Sequence, residues 1–402
     1  TDYAPTGTEL VTNGDFTAAG INLVSNPNFT DGVEKIVDGD FPLPNVNWTL
    51  NSGWTIPVGG SADWATLGSN NPITQSLTFA TDKSYKVTFT IANVVGTPVR
   101  ILIRNQGDVN QDITASWEDF DDGTFTYYFV SSSNNTSINI YGRDDVGDSF
   151  SLSNISVKEL GADWTDSGTP LKAATFDANG LTITSVNGGG NDNRVSQANV
   201  TEAAKSYKVT YTIHSATLTG TNVFQYYNGS AYVTFSEQGV GPHTFYYTRE
   251  DVENGWYFRV AVYDGSTTDF VTISSISVQE LGEGWTLGTG WSIGEDKAVC
   301  DGSQTTYSGL IQNSVFTSTK SYKLTFDITS NQENFAFWVN GSQIIFTAAL
   351  SDGSKEYYFT ASASGSAYFE ATTSFIGTIT NITVQEMILT KIFPELAPPD
   401  ID

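Results

Sequence analysis

Lys83-Ser84-Tyr85-Lys86-Val87-Thr88-Phe89-Thr90-Ile91 returns twice in this chain, as KSYKVTYTI from Lys205 to Ile213 and as KSYKLTFDI from Lys320 to Ile328. In each copy every second residue is apolar or aromatic (Tyr85, Val87, Phe89, Ile91 in the first), and the residues between are Lys, Thr or Asp. Period-2 alternation of this kind makes a β-strand with one buried and one wet face. Three copies imply three modules. A glutamine stands eight residues before each starting lysine (Gln75, Gln197, Gln312), so the strand entering this one and the turn between them keep their length in all three.

Working outward, each module closes on a second common strand: Leu152 to Leu160 (LSNISVKEL), Ile273 to Leu281 (ISSISVQEL) and Ile379 to Met387 (ITNITVQEM). Between central and closing strands lies an aromatic strand marked by Tyr127-Tyr128-Phe129, Phe245-Tyr246-Tyr247 and Tyr357-Tyr358-Phe359. The first module opens with Trp48 and Trp54 and the third with Trp285 and Trp291. The second opens with Trp164, and Leu181 is expected at the place of the second tryptophan, which marks that place as core. Many short strands, turn-rich joins and no crossover helix give an all-β fold of three tandem antiparallel β-sandwiches. The expected divisions are 36–160, 161–281 and 282–387, with connectors of only three residues before Trp164 and Trp285, too short for flexible linkers. Residues 388–402, an apolar stretch running into a proline-broken tail, are expected to dock on the third module.

Residues 1–35 carry a smaller repeat. Leu10 to Phe16 (LVTNGDF) and Leu23 to Phe29 (LVSNPNF) resemble Ile36 to Phe41 (IVDGDF), and only the last lies directly ahead of a module. The first two are expected to be surplus strand-turn units whose free edges attach the protein to a particle or to further copies of itself, a trimer being favoured.

The 402 residues carry 18 Lys+Arg against 44 Asp+Glu, a net charge of -26, which repels nucleic acid and anionic membranes. One cysteine, Cys300, excludes an intrachain disulfide framework, so hydrophobic cores hold the modules. No run approaches the roughly 20 apolar residues of a membrane span, and Thr1 to Pro5 lacks the pattern of a signal peptide. The two histidines, His214 and His243, both fall in the second module, and no nucleophile elbow, zinc-ligand spacing or phosphate loop accompanies them. A catalytic site is therefore not expected.

The opening units with their tryptophans, the K-S-Y-K-V-T-F strand and the closing I-S-V-x-E strand together resemble the carbohydrate-binding jelly-roll modules of the galactose-binding-like superfamily, three times over from residue 36 to 387. Arrays of such modules without a catalytic domain, rich in Asn, Thr and Gly, resemble fibre and capsid-decoration proteins of bacteriophages. The resemblance implies a non-catalytic virion structural protein that presents sugar-binding modules at the virion surface and joins other virion proteins through its N-terminal segment. The alternative is a secreted, extracellular bacterial polysaccharide-binding or adhesin array, and a glycan depolymerase stands behind both. The family also implies a structural calcium ion where opening and closing strands meet. Asp38, Asp40 and Asp148 match those places in the first module, with Asp269 ahead of the last strand of the second.

A pyranose offers an apolar face and a polar rim, so its binders are exposed aromatic rings flanked by amides and carboxylates. The aromatics outside the repeated core positions are Trp64 and Trp117 in module one, Tyr226, Tyr227, Tyr232 and Trp256 in module two, and Tyr307 and Trp338 in module three. These are the stacking candidates, for a glycan or cell-surface polysaccharide as partner.

Overall fold

In the computed structural model of the chain, the described residues are 4–17, 21–29, 32–65, 71–96, 99–107, 110–114, 118–142, 148–166, 174–184, 194–250, 255–261, 263, 268–331 and 333–388. They form strands and turns in three β-sandwiches, each with its own apolar core. One sheet of each sandwich is built on the central strand (Ser84–Val95, Ser206–Thr217, Ser321–Ser330). It pairs antiparallel on one side with the aromatic strand (Gly123–Val130, Gly241–Thr248, Gly353–Thr360) and on the other with the closing strand (Ser149–Leu160, Phe270–Leu281, Gly377–Ile388). A hairpin completes this sheet beyond the closing strand. The second sheet packs on the first, and its free face is called the outer face below.

The alternation read from the repeat governs the packing: Tyr85, Val87, Phe89 and Ile91 are all buried, as are Tyr207, Val209, Tyr211 and Ile213 and their counterparts in module three. Cys300 is a buried free thiol in the third core. Leu181 is buried as expected, but it lies on the second strand of its hairpin, paired with Phe176. Ala174, paired with Ile183, holds the register place of Trp54 and Trp291.

The first thirty-five residues are not surplus, which corrects the reading from sequence. Val11 and Phe16 lie in the core of module three, Val24 and Phe29 in that of module two, and Ile36 and Phe41 in that of module one. Each phenylalanine packs against the opening tryptophan of its module, with ring centroids 5.5 Å apart for Phe16 and Trp285, 5.3 Å for Phe29 and Trp164, and 5.1 Å for Phe41 and Trp48. The N-terminal segment is thus a strap that supplies one opening unit to each sandwich, in the order three, two, one.

The repeated glutamines explain how the strap is held. Gln312 accepts from the Thr12 N–H at 3.0 Å and donates to the Thr12 carbonyl at 2.9 Å; Gln197 does the same to Ser25 and Gln75 to Val37. A primary amide presents an acceptor and a donor side by side, so it substitutes for one residue of a neighbouring strand. A second anchor precedes each unit. Glu9 accepts from the Val11 and Val384 amides, Asn22 from Val24 and Val278, and Glu34 from Ile36 and Val157. The turn that follows lies on the closing strand, where Ile382, Ile276 and Ile155 donate to the carbonyls of Gly14, Pro27 and Gly39. A Cβ added at Gly14 or Gly39 would stand 2.0 or 1.8 Å from a closing-strand carbonyl oxygen, so the approach needs a residue without one. The strap also adds edge strands, Ala4–Glu9 on Gly377–Ile388 and Gly32–Glu34 on Ser149–Leu160. Among the described residues, these strap strands are thus paired within the modules rather than surplus to them.

The joins between modules repeat as well. Ser84 of module one accepts from the Phe176 amide of module two at 3.0 Å, and Ser206 of module two accepts from the Ile293 amide of module three at 2.9 Å. Ser206 also pairs with Thr248 of its own sheet, as Ser321 does with Thr360 at the far end. The closing strand of module three runs to Ile388, and the rest of the tail expected to dock there lies outside the described residues.

Candidate functional site

In module three the outer face is built by the strands Ser308–Phe316, Gly365–Ala371 and Asn334–Val339, side by side. Phe335, Phe337, Val339, Ala367, Phe369, Ala371 and Leu310 point into the core, so the alternate residues Trp338, Tyr368, Glu370 and Ile311 face outward. Strand register sets Ile311, Tyr368 and Trp338 in one row across the sheet. Gly309 gives the row its floor, since a Cβ there would stand 1.9 Å from the Tyr368 ring. The resulting groove has a volume of about 450 Å³, and Asn313, Asn340, Ser366 and Glu370 form its polar rim.

Ser366 donates to Asn313 at 2.8 Å, which fixes that side of the rim. The Trp338 indole N–H has no partner. Burial, then the charge of Glu370 and a hydrogen bond to it, push the Tyr368 phenol up, so it stays a protonated donor at neutral pH. Flat rings beside amides and one carboxylate suit a pyranose, whose C–H face stacks while its hydroxyls meet the rim. Glu370 is the one acid among the residues lining the groove, whereas glycoside hydrolysis by the common routes takes two carboxyl groups flanking the bond.

The sequence candidates divide sharply. Trp338 lines this groove; Tyr307, 65 % exposed, is not among its lining residues. Trp64, Trp256 and Tyr226 are core residues, 1 %, 0 % and 8 % exposed, and cannot serve as stacking platforms without unfolding their modules. Each sits on the inward register of its strand: Trp64 packs against Trp54, Trp256 against Phe258, and Tyr226 against Phe235 and Phe245. Tyr227 and Tyr232 do lie on the outer face of module two, with ring centroids 5.3 Å apart. Trp117 lies outside the described residues. Tyr368 and Tyr257 belong to the same faces and were missed. Their signal was phase, since each stands one residue from a core aromatic on an alternating strand.

The three acids expected to share a metal do not come together. Asp38 is a turn residue of the strap at φ 55, its carboxylate hydrogen-bonded by Asn47 and its carbonyl by the Trp48 indole at 3.0 Å. Asp40 is exposed beside it. Asp148 stands against Gly96 ahead of the closing strand, whereas the strap turn meets that strand at Ile155, roughly 20 Å further along at the rise of a strand. Among the described residues no group of three or more His, Cys, Asp or Glu is arranged to hold a metal ion. Asp269 is fully buried and accepts from Thr219 and Asn222 at 2.7 to 3.1 Å, so it ties down the loop after the central strand.

No family model and no curated protein matches this chain. Solved structures do. The tandem CBM22-1-CBM22-2 domain from Paenibacillus barcinonensis Xyn10C aligns over 65 % of this chain and 98 % of its own, at 10 % identity and a TM-score of 0.24. The M60 catalytic domain with the CBM51-1 and CBM51-2 domains from Clostridium perfringens ZmpB covers 82 % of this chain and 34 % of its own, at 8 % identity and a TM-score of 0.17. The Sulfolobus Turreted Icosahedral Virus structure covers 85 % and 90 %, at 10 % identity and a TM-score of 0.18. Scores this low give none of them functional weight. The sandwich architecture stands on the chain's own sheets.

Proposed function

We propose that this chain is a non-catalytic glycan-binding array whose third module binds a neutral sugar chain in the Trp338–Tyr368 groove. The observation that carries this reading is the aromatic row with its amide rim, the chemistry a pyranose needs, on the outer face of a sandwich held to its neighbour by the hydrogen bond from the Ile293 amide to the Ser206 hydroxyl. We place the array at the surface of a virion. Three directly joined modules and the lack of any catalytic motif support a presenting role, and a gene position among phage structural genes would test it against a secreted adhesin.

The binding experiment is titration calorimetry of the intact chain with neutral oligosaccharides such as xylo-, cello- and galacto-oligomers. Binding at millimolar to micromolar strength is expected, and Trp338→Ala should weaken it by about 1–2 kcal/mol, roughly 5- to 30-fold. A blank titration series, or affinity indifferent to Trp338→Ala, overturns the assignment.

A further inference from the structure

The joint between modules is used twice in the chain, and each of its two halves is left over once. The receiving half is the start of a central strand beside the end of its aromatic strand; the entering half is the first strand of the next hairpin, which presents an apolar residue and its amide. Phe176 and Ile293 are those residues, and their amides donate to Ser84 and Ser206. Tyr246, opposite Lys208 on the aromatic strand, is partly buried against the core of module three, and a Cβ on Gly294 would stand 3.3 Å from it.

Module three keeps a receiving half that nothing enters among the described residues. Tyr358 holds the place of Tyr246, opposite Lys323, and is 56 % exposed. With Ser321, Phe359, Thr360 and Met387 it lines a groove of about 300 Å³. The pairing of Ser321 with Thr360 does not block it, because Ser206 makes the same pair with Thr248 and still accepts the Ile293 amide. The chain itself runs past this groove. At the internal joints Gly161 and Gly282, at φ 67 and 66, turn the chain into the next module, whereas Ile388 at that place continues the closing strand opposite Ala4.

Module one keeps the entering half. Ile56 stands two residues after Trp54, as Ile293 stands after Trp291 and Phe176 after Ala174. Antiparallel pairing alternates, so the amide at this place points away from its own hairpin. The Ile56 amide has no hydrogen-bond partner among the described residues, and Val58 close by is 93 % exposed.

We propose that module one of a second copy enters the uncovered end of module three, the Ile56 amide donating to Ser321 and the side chain packing beside Tyr358, so that copies join head to tail. The contact continues the joint already made twice inside the chain. It is heterologous, so it extends by repetition instead of stopping at a dimer. One hairpin on two strand ends is smaller than a standard interface, so the association is weak.

The test is sedimentation equilibrium of the intact chain over roughly 10–500 µM, the range in which a small interface associates, in about 150 mM salt to screen the charge of -26 on each copy. Weight-average mass should rise with concentration past twice that of one chain. Tyr358→Glu, at an exposed position, and Ile56→Asp should each weaken association at least tenfold. Mixed together, the two variants should form a dimer and stop there, since the mixture holds one intact pair of halves. If Ile56→Asp lowers the melting of module one, Tyr358→Glu alone decides. A chain ending at residue 388 should associate as the intact chain does; a tenfold change in either direction assigns the groove or the contact to residues 389–402 and overturns the proposal. It is equally overturned if the intact chain stays monomeric throughout, or if Tyr358→Glu associates as strongly as the unaltered protein.

Discussion

Module one and module three are assembled by the same contacts from very different distances along the chain. The Trp48 indole reaches the strap at Asp38, 10 residues away, whereas the Trp285 indole reaches it at Thr12, 273 residues away. The glutamine clamps span 38 residues in module one, 172 in module two and 300 in module three. Equal contacts across unequal loops show that each groove recognises the unit's local chemistry, and that closure entropy sets only a modest difference. Going from 38 to 300 residues adds about 2 kcal/mol for a flexible loop, and less once the intervening modules are folded. The order also matters. The strap passes module three, then two, then one, and the chain returns through one, two and three, so no unit has to cross another.

Removing residues 1–31 is the strongest way to break this comparison. Module one keeps Ile36 to Phe41, whereas modules two and three lose Phe29 and Phe16, and module three also loses the edge strand Ala4–Glu9. Losing a buried phenylalanine alone costs about 3–5 kcal/mol, a large part of the stability of a small domain. Calorimetry of the truncated chain should show one native-like transition and two that are lowered or lost, and a peptide of residues 4–17 added in trans should restore one of them. Three unchanged transitions would mean that the strap is a passenger.

The assignment of strap units to modules was not legible because the units are nearly interchangeable. LVTNGDF, LVSNPNF and IVDGDF all dock a β-branched residue (Val11, Val24, Ile36) and, five residues on, a phenylalanine (Phe16, Phe29, Phe41), and most of their differences fall in the turn between. Adjacency then favoured the one unit beside a module and left two looking spare. The missing signal was arithmetic: three units, three central strands and three glutamines at a constant offset, each with a donor and an acceptor to satisfy. The sandwiches themselves were legible, since alternation fixes which face of a strand is buried. The site was half legible. Trp338 was found and its partner Tyr368 was not, while Trp64 and Trp256 were taken for platforms because sequence gives the phase of a strand only where its bounds are known.

A smaller perturbation sharpens the comparison. Gln312→Ala strips the Thr12 amide of its acceptor and its carbonyl of one donor, and Gln75→Ala does the same to Val37. Each should cost about 1–3 kcal/mol in its own module. The consequences should differ, because the unit in module one is tethered close by and that in module three is not. Hydrogen exchange at residues 10–16 should rise steeply in Gln312→Ala, while exchange at 36–41 rises little in Gln75→Ala. Equal increases would remove distance along the chain as the distinguishing factor.

The smallest effect tests what the modules share irrespective of the strap. Tyr85 in module one and Tyr207 in module two are buried, and their hydroxyls accept from the Ala80 and Glu202 amides at 2.8 and 2.6 Å. Burial, the largest cause, pushes both phenols up to about 12 despite those amide hydrogen bonds. An unfolded tyrosine ionises near 10, so the folded state favours the neutral phenol. Stability from this preference is fully present below pH 10 and is lost as pH rises from there through about 12, by on the order of 1 kcal/mol per pH unit for each tyrosine. Modules one and two should therefore weaken in parallel over that window, although their strap clamps span 38 and 172 residues. Tyr85→Phe should lower module one by about 1 kcal/mol at neutral pH, since the Ala80 amide loses its acceptor, and should flatten its decline above pH 10. If the decline persists in Tyr85→Phe, alkaline unfolding begins elsewhere, and an equal response of the two modules can no longer be assigned to their common tyrosine.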